Sequence, residues 1–253
     1  MEYQLPLSQS YLQILQTCPR KFQYTYLEHL APPWDAEQQE RLQWGADFHR
    51  LMQQQAIGLP PKDANLRGDY PEELLQTYQA LQRQAPQLFA SQGWRATEYP
   101  LSWLWGGYRF TVIYDLLFID GQQAEIIDWK THQYPKTSQN LRAQWQTKLY
   151  LFGLAECSGW PPDQLRMTYW FVRGQPTSVT IAYSATWHGQ IRKELGELLD
   201  ELNGYWQRYT KEGVDFDQVA VSAGHCQKCS FVHRCDRTHA DLPSPDLIPE
   251  IAL

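Results

Sequence analysis

The amino-acid sequence predicts a mixed α/β (α+β) protein in which a central mixed sheet is flanked by helices. Two dipeptides that favour β-hairpin turns, Gly106-Gly107 and Asp120-Gly121, separate apolar runs in the middle of the chain. Apolar residues recur at helical spacing on both sides of this section. Because 253 residues can bury a substantial core, we expect one domain over 1–253.

The N-terminal part, residues 1–57, is predicted to be helical. Ser8 or Ser10 can cap a first helix, and Pro19 fits the first turn of a second one. A Gln-rich helix further along carries His49. The expected segments up to the sheet are helical regions at 7–29, 36–56 and 71–90 and a loop at 58–70.

The middle part, residues 93–212, is predicted to contain the sheet. Apolar strands bracket the two hairpin turns, and helices follow them. A loop-rich cysteine segment at 213–240 and a proline-interrupted tail at 241–253 complete the chain. The expected elements of the middle part are strands at 95–104, 107–119, 122–130, 166–174 and 177–184, and helices at 137–157 and 186–211.

The composition argues against some classes of protein. A formal net charge of −6 disfavours non-specific binding to duplex nucleic acid through a positively charged coat, although a local cleft can still bind nucleic acid. No run approaches the ~20 apolar residues that span a bilayer, and the first residues do not form a secretory signal. We therefore expect a cytoplasmic protein, in which reduced cysteines favour metal binding over disulfides.

Two acids and a lysine fall on the predicted hairpin around Asp120-Gly121. If that dipeptide is the whole turn, Asp115 lies opposite Ile126 and shares a face with Asp128 and Lys130. The two carboxylates are then diagonal neighbours, roughly 7–8 Å apart at the backbone, and can hold one cation between them. A plain Asp–Lys ion pair at the sheet edge is the alternative. Oxygen ligands suit Mg²⁺ or Mn²⁺ better than zinc.

This order of residues resembles the signature of the PD-(D/E)XK nucleases, in their RecB- and AddB-like branch. Asp115 matches the first acid, and Asp128 and Lys130 match the Asp-x-Lys that follows. His49, in the segment FHRLM, resembles the upstream metal-binding histidine of this branch. Gln146 and Tyr150 resemble its Q-x-x-x-Y pair, which shares one helix face. The resemblance covers most of the chain and implies a restriction-endonuclease-like fold.

Four cysteines extend the resemblance to the iron–sulfur members of this branch, which include AddB-type nuclease domains and CRISPR-adaptation exonucleases. Cys18 stands near the start, and Cys226, Cys229 and Cys235 form C-x-x-C-x-x-x-x-x-C near the end. The resemblance implies a 4Fe–4S cluster that joins the N- and C-terminal segments, and a zinc site is the alternative. Cys157 is expected to be a small buried residue and not a ligand.

The resemblance implies a metal-dependent deoxyribonuclease, an exonuclease that acts on DNA ends or single strands. The implied partners are DNA and a helicase or CRISPR-adaptation protein, in repair, recombination or CRISPR adaptation, with no membrane. The alternatives are a non-catalytic DNA-binding or scaffold protein, a redox protein and a nuclease held together by zinc. The implied ligands of Mg²⁺ or Mn²⁺ are His49, Asp115, Asp128 and the Trp129 carbonyl, and the implied catalytic residues are Asp115, Asp128, Lys130, Gln146 and Tyr150.

Two further residues near this site have simpler expected roles. Glu98 is expected to be a solvated residue at the end of a strand, and the alternative, which the resemblance implies, is an upstream acid that adds to the metal site. Trp129 lies between Asp128 and Lys130, so it should point to the opposite face from both and pack under the 137–157 helix.

Overall fold

The computed structural model describes residues 6–30, 36–59, 72–89, 93–132 and 137–237. The chain divides into two compact units, of which the first consists of Met1–Ser8 and Trp34–Lys193 and the second of Gln9–Pro33 and Glu194–Leu253. The predicted tail at 241–253 and most of the predicted loop at 58–70 lie outside the described residues. The single domain over 1–253 stays a prediction.

The groups of helices and strands follow one another along the chain in the order that the sequence predicts. A π-helical turn, Gln23–Leu27, extends the helix Pro19–Phe22, and short 3₁₀ turns occur at Pro86–Phe89, Pro162–Gln164, Val221–Ala223 and His233–Cys235. The helices are α1 (Gln9–Thr17), α2 (Pro19–Phe22), α3 (Ala36–Ala56), α4 (Glu72–Gln84), α5 (Ser138–Ala143), α6 (Trp145–Ser158) and α7 (Ala185–Glu212). The strands are β1 (Trp94–Trp105), β2 (Tyr108–Ile119), β3 (Ala124–Lys130), β4 (Leu165–Phe171) and β5 (Thr177–Ala182).

The strands form one five-stranded sheet in the order β1-β2-β3-β4-β5. β3 and β4 run parallel, and the other neighbouring strands are antiparallel. A parallel pair requires a crossover connection, which α5 and α6 supply between β3 and β4. This mixed sheet with flanking helices confirms the predicted fold class.

The β1–β2 hairpin turns at the predicted dipeptide. Trp105 pairs with Tyr108 across Gly106-Gly107. The φ angles of the two glycines are 56° and 83°, and a two-residue turn with positive φ at both positions matches the right-handed twist of the strands. The sequence therefore sets the register of β1 against β2 at this point.

The β2–β3 hairpin has a longer loop than the predicted Asp120-Gly121 turn. Ile119 pairs with Ala124, so the loop comprises residues 120–123. Asp120 Oδ1 accepts hydrogen bonds from the backbone N–H groups of Gln122 and Gln123, at 2.9 Å each. An aspartate that bonds to its own following backbone favours such a turn over a two-residue one.

The longer loop corrects the predicted register. Leu117, and not Asp115, lies opposite Ile126. The prediction was wrong by two residues, and side chains alternate with a period of two. A shift of two residues does not exchange the faces of the strands. It brings Asp115 level with Asp128 on the neighbouring strand, where the predicted register made them diagonal neighbours.

Helices α3 and α4 cover one face of the sheet. The core beneath them contains Trp44 and Phe48 of α3, Leu74 of α4 and Trp129 of β3. The rings of Phe48 and Trp129 have centroids 6.4 Å apart in an edge-to-face arrangement. The prediction that Trp129 packs under the 137–157 helix is wrong, because α3 and α4 take the face to which it points.

Helix α6 covers the opposite face and approaches β1 closely. A Cβ atom placed on Gly153 would lie 2.5 Å from the Trp103 ring, so only glycine permits this approach. Thr147 Oγ1 lies 2.7 Å from Tyr169 Oη on β4. These contacts fix α6 against the sheet at both ends of its buried side.

The predicted 137–157 helix is two helices, α5 and α6. Gln144 adopts an extended conformation, with ψ at 142°, and separates them. The Leu141 carbonyl at the end of α5 accepts a hydrogen bond from the Gln144 N–H at 3.1 Å and a second one from Thr147 Oγ1. The break places Gln146 in the first turn of α6.

In the second unit the N-terminal helices pack against the segment that follows α7. Gln23 is 1% exposed, and its amide nitrogen donates to Glu28 Oε1 at 2.7 Å and to Asp215 Oδ1 at 2.8 Å. Its amide oxygen accepts from the Phe216 N–H at 2.7 Å. A buried amide with its partners in place fixes the two segments to each other. No helix within the described ranges combines the length and apolar character that crossing a bilayer demands.

Candidate active site

The sheet opens between β2 and β3 at Asp115. The backbone pairs of the two strands end at Leu116, and Asp115 Oδ2 then accepts a hydrogen bond from the Trp129 N–H at 2.8 Å. Tyr114 Oη donates to the Tyr150 carbonyl of α6, whereas Leu116 belongs to the core under α3 and α4. The strict alternation of the strand therefore fails at Asp115, whose carboxylate lies in the opening.

His49 and Glu98 approach Asp115 from α3 and β1. His49 Nδ1 lies 3.4 Å from Asp115 Oδ1 and 4.0 Å from Glu98 Oε1. The potential ligand atoms of these three residues all lie within 4.8 Å of one another. His49 Nε2 lies 3.2 Å from the Trp129 carbonyl oxygen. One cation could contact several of these groups at once.

Glu98 has an unusual backbone conformation. Its φ angle is 47°, in the left-handed region, which costs a residue other than glycine about 1–3 kcal/mol. The pairs Thr97–Leu116 and Tyr99–Tyr114 enclose it, so Glu98 lies across from Asp115. Strained residues of this kind concentrate at functional sites.

The charges of this group favour a cation. Burial opposes the charged form of His49, but the hydrogen bond and charge of Asp115, with the charges of Asp128 and Glu98, outweigh it and raise the pKa of His49. Burial and the charge of Asp115 raise the pKa of Glu98, against the opposing effect of His49. The excess negative charge therefore favours the protonated forms of His49 and Glu98, and a bound divalent ion would relieve the same repulsion.

A second polar group joins the carboxyl end of β3 to α6. Lys130 Nζ donates to Gln146 Oε1 at 2.8 Å, and Gln146 Nε2 donates to Asp128 Oδ2 at 2.6 Å. Lys130 Nζ also lies 2.6 Å from Asp128 Oδ1. The three side chains form a closed polar triangle, which fixes the orientation of the Gln146 amide. Lys130 Nζ lies 5.2 Å from the centroid of the Tyr169 ring.

Asp128 is the most deeply buried acid of the site, at 3% exposure. Burial raises its pKa to about 6, with a contribution from the charge of Asp115, whereas Lys130 and His49 act in the opposite direction. Its Oδ1 atom is buried and has no hydrogen bond of good geometry, although it is close to the lysine ammonium. A carboxylate oxygen in this state can serve as a ligand to a cation.

Tyr150 lies beside the polar triangle. Its side chain is 5% exposed, and its ring is 5.3 Å from that of Tyr114. Burial and the charges of Asp128 and Asp115 raise the pKa of Tyr150, and its interactions with the Gln146 side chain and the Ile113 backbone oppose them. Tyr150 is therefore a neutral hydrogen-bonding group at the edge of the site.

These residues fit a divalent cation of the hard type. Carboxylate and carbonyl oxygens with one imidazole are suitable ligands for Mg²⁺ or Mn²⁺. The candidate ligands are His49, Glu98, Asp115, Asp128 and the Trp129 carbonyl.

The structure brings together all the residues that the sequence predicts around the acids and the lysine, and it adds one. The prediction that Glu98 is a solvated residue at a strand end is wrong, because it lies within the group of His49 and Asp115. The sequence feature that could have identified Glu98 is the Gly106-Gly107 turn, because it sets the register of β1 against β2. Counting back along both strands from the Trp105–Tyr108 pair places Glu98 across from Asp115.

The comparison with protein families agrees with this arrangement. A model of the PD-(D/E)XK nuclease superfamily matches residues 6–236. The chain belongs to this superfamily. Both the sheet that carries Asp115, Asp128 and Lys130 and the cysteine segment up to residue 235 lie within the match. No curated protein resembles this PD-(D/E)XK nuclease closely enough to count as a match.

Two solved structures resemble the nuclease. A protein described as a "Putative exonuclease" from Eubacterium rectale is 11% identical, with a TM-score of 0.57 over 95% of this chain and 90% of that one. The protein SSO0001 is 12% identical, with a TM-score of 0.39 over 96% of this chain and 89% of that one. At these identities the first structure supports the fold alone, and the second supports no argument.

The four predicted cluster cysteines of the nuclease lie in its second unit. Burial raises the pKa of Cys235, and the nearby thiols of Cys18 and Cys229 raise it further. The Cys229 N–H donates to the Cys226 carbonyl at 3.1 Å. Within the described ranges, however, no three cysteine sulfurs lie within 4.8 Å of one another. Cys157 is exposed, so the prediction that it is buried is wrong.

Proposed function

We propose that this PD-(D/E)XK nuclease is a Mg²⁺- or Mn²⁺-dependent deoxyribonuclease, and that it acts as an exonuclease on DNA ends or single strands. The observation that supports this proposal best is the meeting of two groups at one opening of the sheet. One group consists of His49, Glu98 and Asp115, whose charges favour a cation. The other is the polar triangle of Asp128, Lys130 and Gln146.

The metal ligands in this proposal are residues of unit 1. They are His49, Glu98, Asp115, Asp128 and the Trp129 carbonyl. When bound, the ion lowers the pKa of a water molecule and offsets the charge that builds up on the scissile phosphate. The group is half-buried, which strengthens these electrostatic effects relative to water.

The other residues position the reactants. Lys130 places its ammonium where it can hold the attacking water and neutralise a phosphate oxygen. Gln146 holds Lys130 through its amide oxygen and Asp128 through its amide nitrogen. Tyr150 contributes a neutral hydroxyl next to this pair. Hydrolysis then forms a bond from the water oxygen to phosphorus and breaks one ester P–O bond of the DNA.

The assay that tests the proposal uses the intact protein and labelled DNA. We expect hydrolysis of single-stranded DNA in Mn²⁺ or Mg²⁺, and loss of hydrolysis in EDTA that excess metal reverses. A 3′-labelled and a 5′-labelled strand distinguish release of mononucleotides from internal cleavage. DNA binding without hydrolysis in any divalent metal would support the non-catalytic alternative instead.

We also propose a 4Fe–4S cluster at Cys18, Cys226, Cys229 and Cys235. Support comes from the sequence resemblance and from the position of Cys18 and Cys229 near Cys235 in one unit. A single zinc ion would hold its sulfurs about 3.8 Å apart, given Zn–S bonds of ~2.3 Å, and a multi-iron cluster accepts a wider spacing. Arg237 Nη1 donates to Cys226 Sγ at 2.6 Å, the kind of contact that tunes cluster sulfurs.

Anaerobic purification tests the cluster. We expect brown protein that contains iron and sulfide, and a Cys235→Ser variant that is pale and melts at a lower temperature because one ligand is lost. Cys157→Ser is the matched control and should keep the colour, since Cys157 is exposed and lies in the other unit. A colourless protein with one zinc ion would support the zinc alternative.

The biological context stays a prediction. Repair, recombination and CRISPR adaptation are all compatible with a nuclease of this kind. A helicase or CRISPR-adaptation protein as partner and a cytoplasmic location are proposals that rest on the sequence alone.

A further inference from the structure

The outer half of the β1–β2 hairpin has one covered face and one exposed face. On the covered face Trp103 lies against Phe110, with ring centroids 5.4 Å apart, and Trp105 lies against Phe152 of α6. Side chains on the other face project away from α6 and are largely exposed. We call these residues the hairpin row: Pro100, Ser102, Leu104, Arg109, Thr111 and Ile113.

The hairpin row consists of three cross-strand pairs. Pro100 pairs with Ile113, Ser102 with Thr111, and Leu104 with Arg109. The hydroxyl oxygens of the middle pair are 2.9 Å apart. The row thus presents an apolar pair, a polar pair, and a leucine beside an arginine, in that order from the sheet opening to the hairpin tip.

Two members of the row are exposed aliphatic side chains. Leu104 is 74% exposed and Ile113 is 48% exposed. The backbone edge of β2 beside them is occupied, because the Leu7 N–H donates to the Arg109 carbonyl and the Leu7 carbonyl accepts from the Thr111 N–H. The row therefore offers side chains to a ligand, and not backbone groups at the β2 edge.

The row continues directly from the candidate metal group. Glu98 precedes Pro100 by two positions on β1, and Asp115 follows Ile113 by two positions on β2. His49 of α3, the helix on the side of the sheet opposite α6, approaches both acids, at 4.0 Å and 3.4 Å. The metal group is therefore reached from the side to which the row projects. Leu104 lies about 20 Å along the strand from Glu98, at ~3.4 Å per residue. A stacked strand of duplex DNA has ~3.4 Å per phosphate. A strand with unstacked bases is longer per nucleotide, so this length holds at most about six nucleotides.

From this continuity we infer that the hairpin row is the binding track for a single strand of DNA whose scissile phosphate lies at Asp115. This inference rests on the proposed nuclease function. Leu104 and Ile113 contact the apolar faces of unstacked bases, and Arg109 contacts a phosphate near the far end. Bases expose these faces only when the strand is unpaired.

The charge of the row favours a single strand over a duplex. Duplex binding draws its affinity from many phosphate contacts by Lys and Arg, and the row contains one cation, Arg109. The chain as a whole has a net charge of −6. A strand bound through base contacts needs fewer cations, because apolar contact supplies part of the affinity.

The small area of the row disfavours a protein partner. Stable protein interfaces bury about 800 Å² on each side, which is far more than six side chains in single file can provide. A nucleic-acid strand is itself narrow and linear, so it matches a ladder of cross-strand pairs. A protein partner at this row becomes an outcome of the test.

The test uses a double variant, Leu104→Thr with Ile113→Thr, in the full-length protein. Threonine keeps the β propensity of both positions, so we expect an unchanged melting temperature. The matched control is Val214→Thr, an exposed aliphatic residue of the other unit. The probes are single-stranded oligonucleotides of two to twelve nucleotides and bis(4-nitrophenyl) phosphate, a small phosphodiester that contacts the metal site alone.

We expect kcat/KM of the unaltered protein to rise with oligonucleotide length and to level off at or below about six nucleotides. The double variant should lose about tenfold on oligonucleotides of six nucleotides or more, and it should hydrolyse the small phosphodiester at an unchanged rate. Arg109→Gln should lower the salt dependence of binding by about one phosphate contact. Val214→Thr should match the unaltered protein throughout.

Binding measured in EDTA separates this inference from the proposed function. Single-strand binding that weakens about tenfold in the double variant supports the track even if no hydrolysis is found. An active protein whose double variant cleaves long oligonucleotides normally overturns the track and leaves the nuclease intact. Equal losses on both substrates, or a change of oligomeric state with normal DNA affinity, would also overturn it.

Discussion

Replacing Lys130 with methionine should lower kcat for DNA hydrolysis by about 10²–10³-fold, the range for loss of one preorganised charged donor. The methionine keeps the length of the side chain but removes the ammonium that contacts Asp128 and Gln146. Single-turnover cleavage at saturating Mn²⁺ measures the effect, because it isolates the chemical step from product release. Lys193→Met, at an exposed position of α7, is the control and should retain full activity.

For Asp128→Asn we expect a loss of activity together with a gain in the stability of the folded protein at alkaline pH. Burial raises the pKa of Asp128 to about 6, so at pH 8 without metal the folded protein holds a carboxylate in an unfavourable environment. A folded-state pKa above the unfolded one means that this penalty is present above pH 6 and fades as the pH falls below it. Asparagine avoids the charge and can still accept the hydrogen bond from Gln146.

We therefore expect the Asp128→Asn variant to melt at a higher temperature than the unaltered protein at pH 8 in EDTA. The difference should be smaller at pH 5, which lies between the folded-state pKa of about 6 and the ordinary value of 3.8. The nuclease activity of the variant should be lost by a factor comparable to that for Lys130→Met. Thermal unfolding at the two pH values checks the first result. An Asp128→Asn variant with full activity would contradict the assignment of this acid to the site.

The second large effect concerns Glu98. Glu98→Gln should weaken Mn²⁺ binding by about 10–100-fold, a range seen when groups that support a metal site are changed. The amide keeps the shape of the side chain but loses the charge next to His49 and Asp115. Activity measured against Mn²⁺ concentration should shift to higher metal and recover in part at saturation. Glu201→Gln, an exposed carboxylate of α7, serves as the control.

A second replacement at this position separates the carboxylate from the backbone strain. Glycine adopts a φ angle of 47° without a steric penalty. Glu98→Gly should therefore lose metal affinity as Glu98→Gln does, and it should unfold at an equal or higher temperature than Glu98→Gln. Normal metal affinity in both variants would remove Glu98 from the ligand set.

The sequence predicts much of this site because its signals are local. The Gly106-Gly107 turn sets the β1–β2 register, and Asp-x-Lys places two functional groups on one strand. The Gln146–Tyr150 spacing needs only that both residues lie on one helix. Such signals depend on a few neighbouring residues, and the fold preserves them.

The errors arise where distant contacts decide between local alternatives. Asp120-Gly121 is compatible with a two-residue turn, but the Asp120 side chain satisfies two backbone N–H groups in the longer loop. The strand pattern predicts the correct face for Trp129 but the wrong neighbouring helix, because such a pattern does not indicate which helix covers each face. The failure of alternation at Asp115 depends on a hydrogen bond to another strand.

The break between α5 and α6 at Gln144 determines where the chain can gain or lose residues without disturbing the site. Gln146 closes the polar triangle from the first turn of α6, and Gly153 fixes that helix against Trp103. Residues inserted ahead of Gln144 would extend the connection without rotating α6. One residue inserted between Gln146 and Gly153 would rotate Gln146 about the helix axis by about 100°, away from Lys130. Among homologous chains, length variation should therefore occur before Gln144 and be rare among the six residues between Gln146 and Gly153.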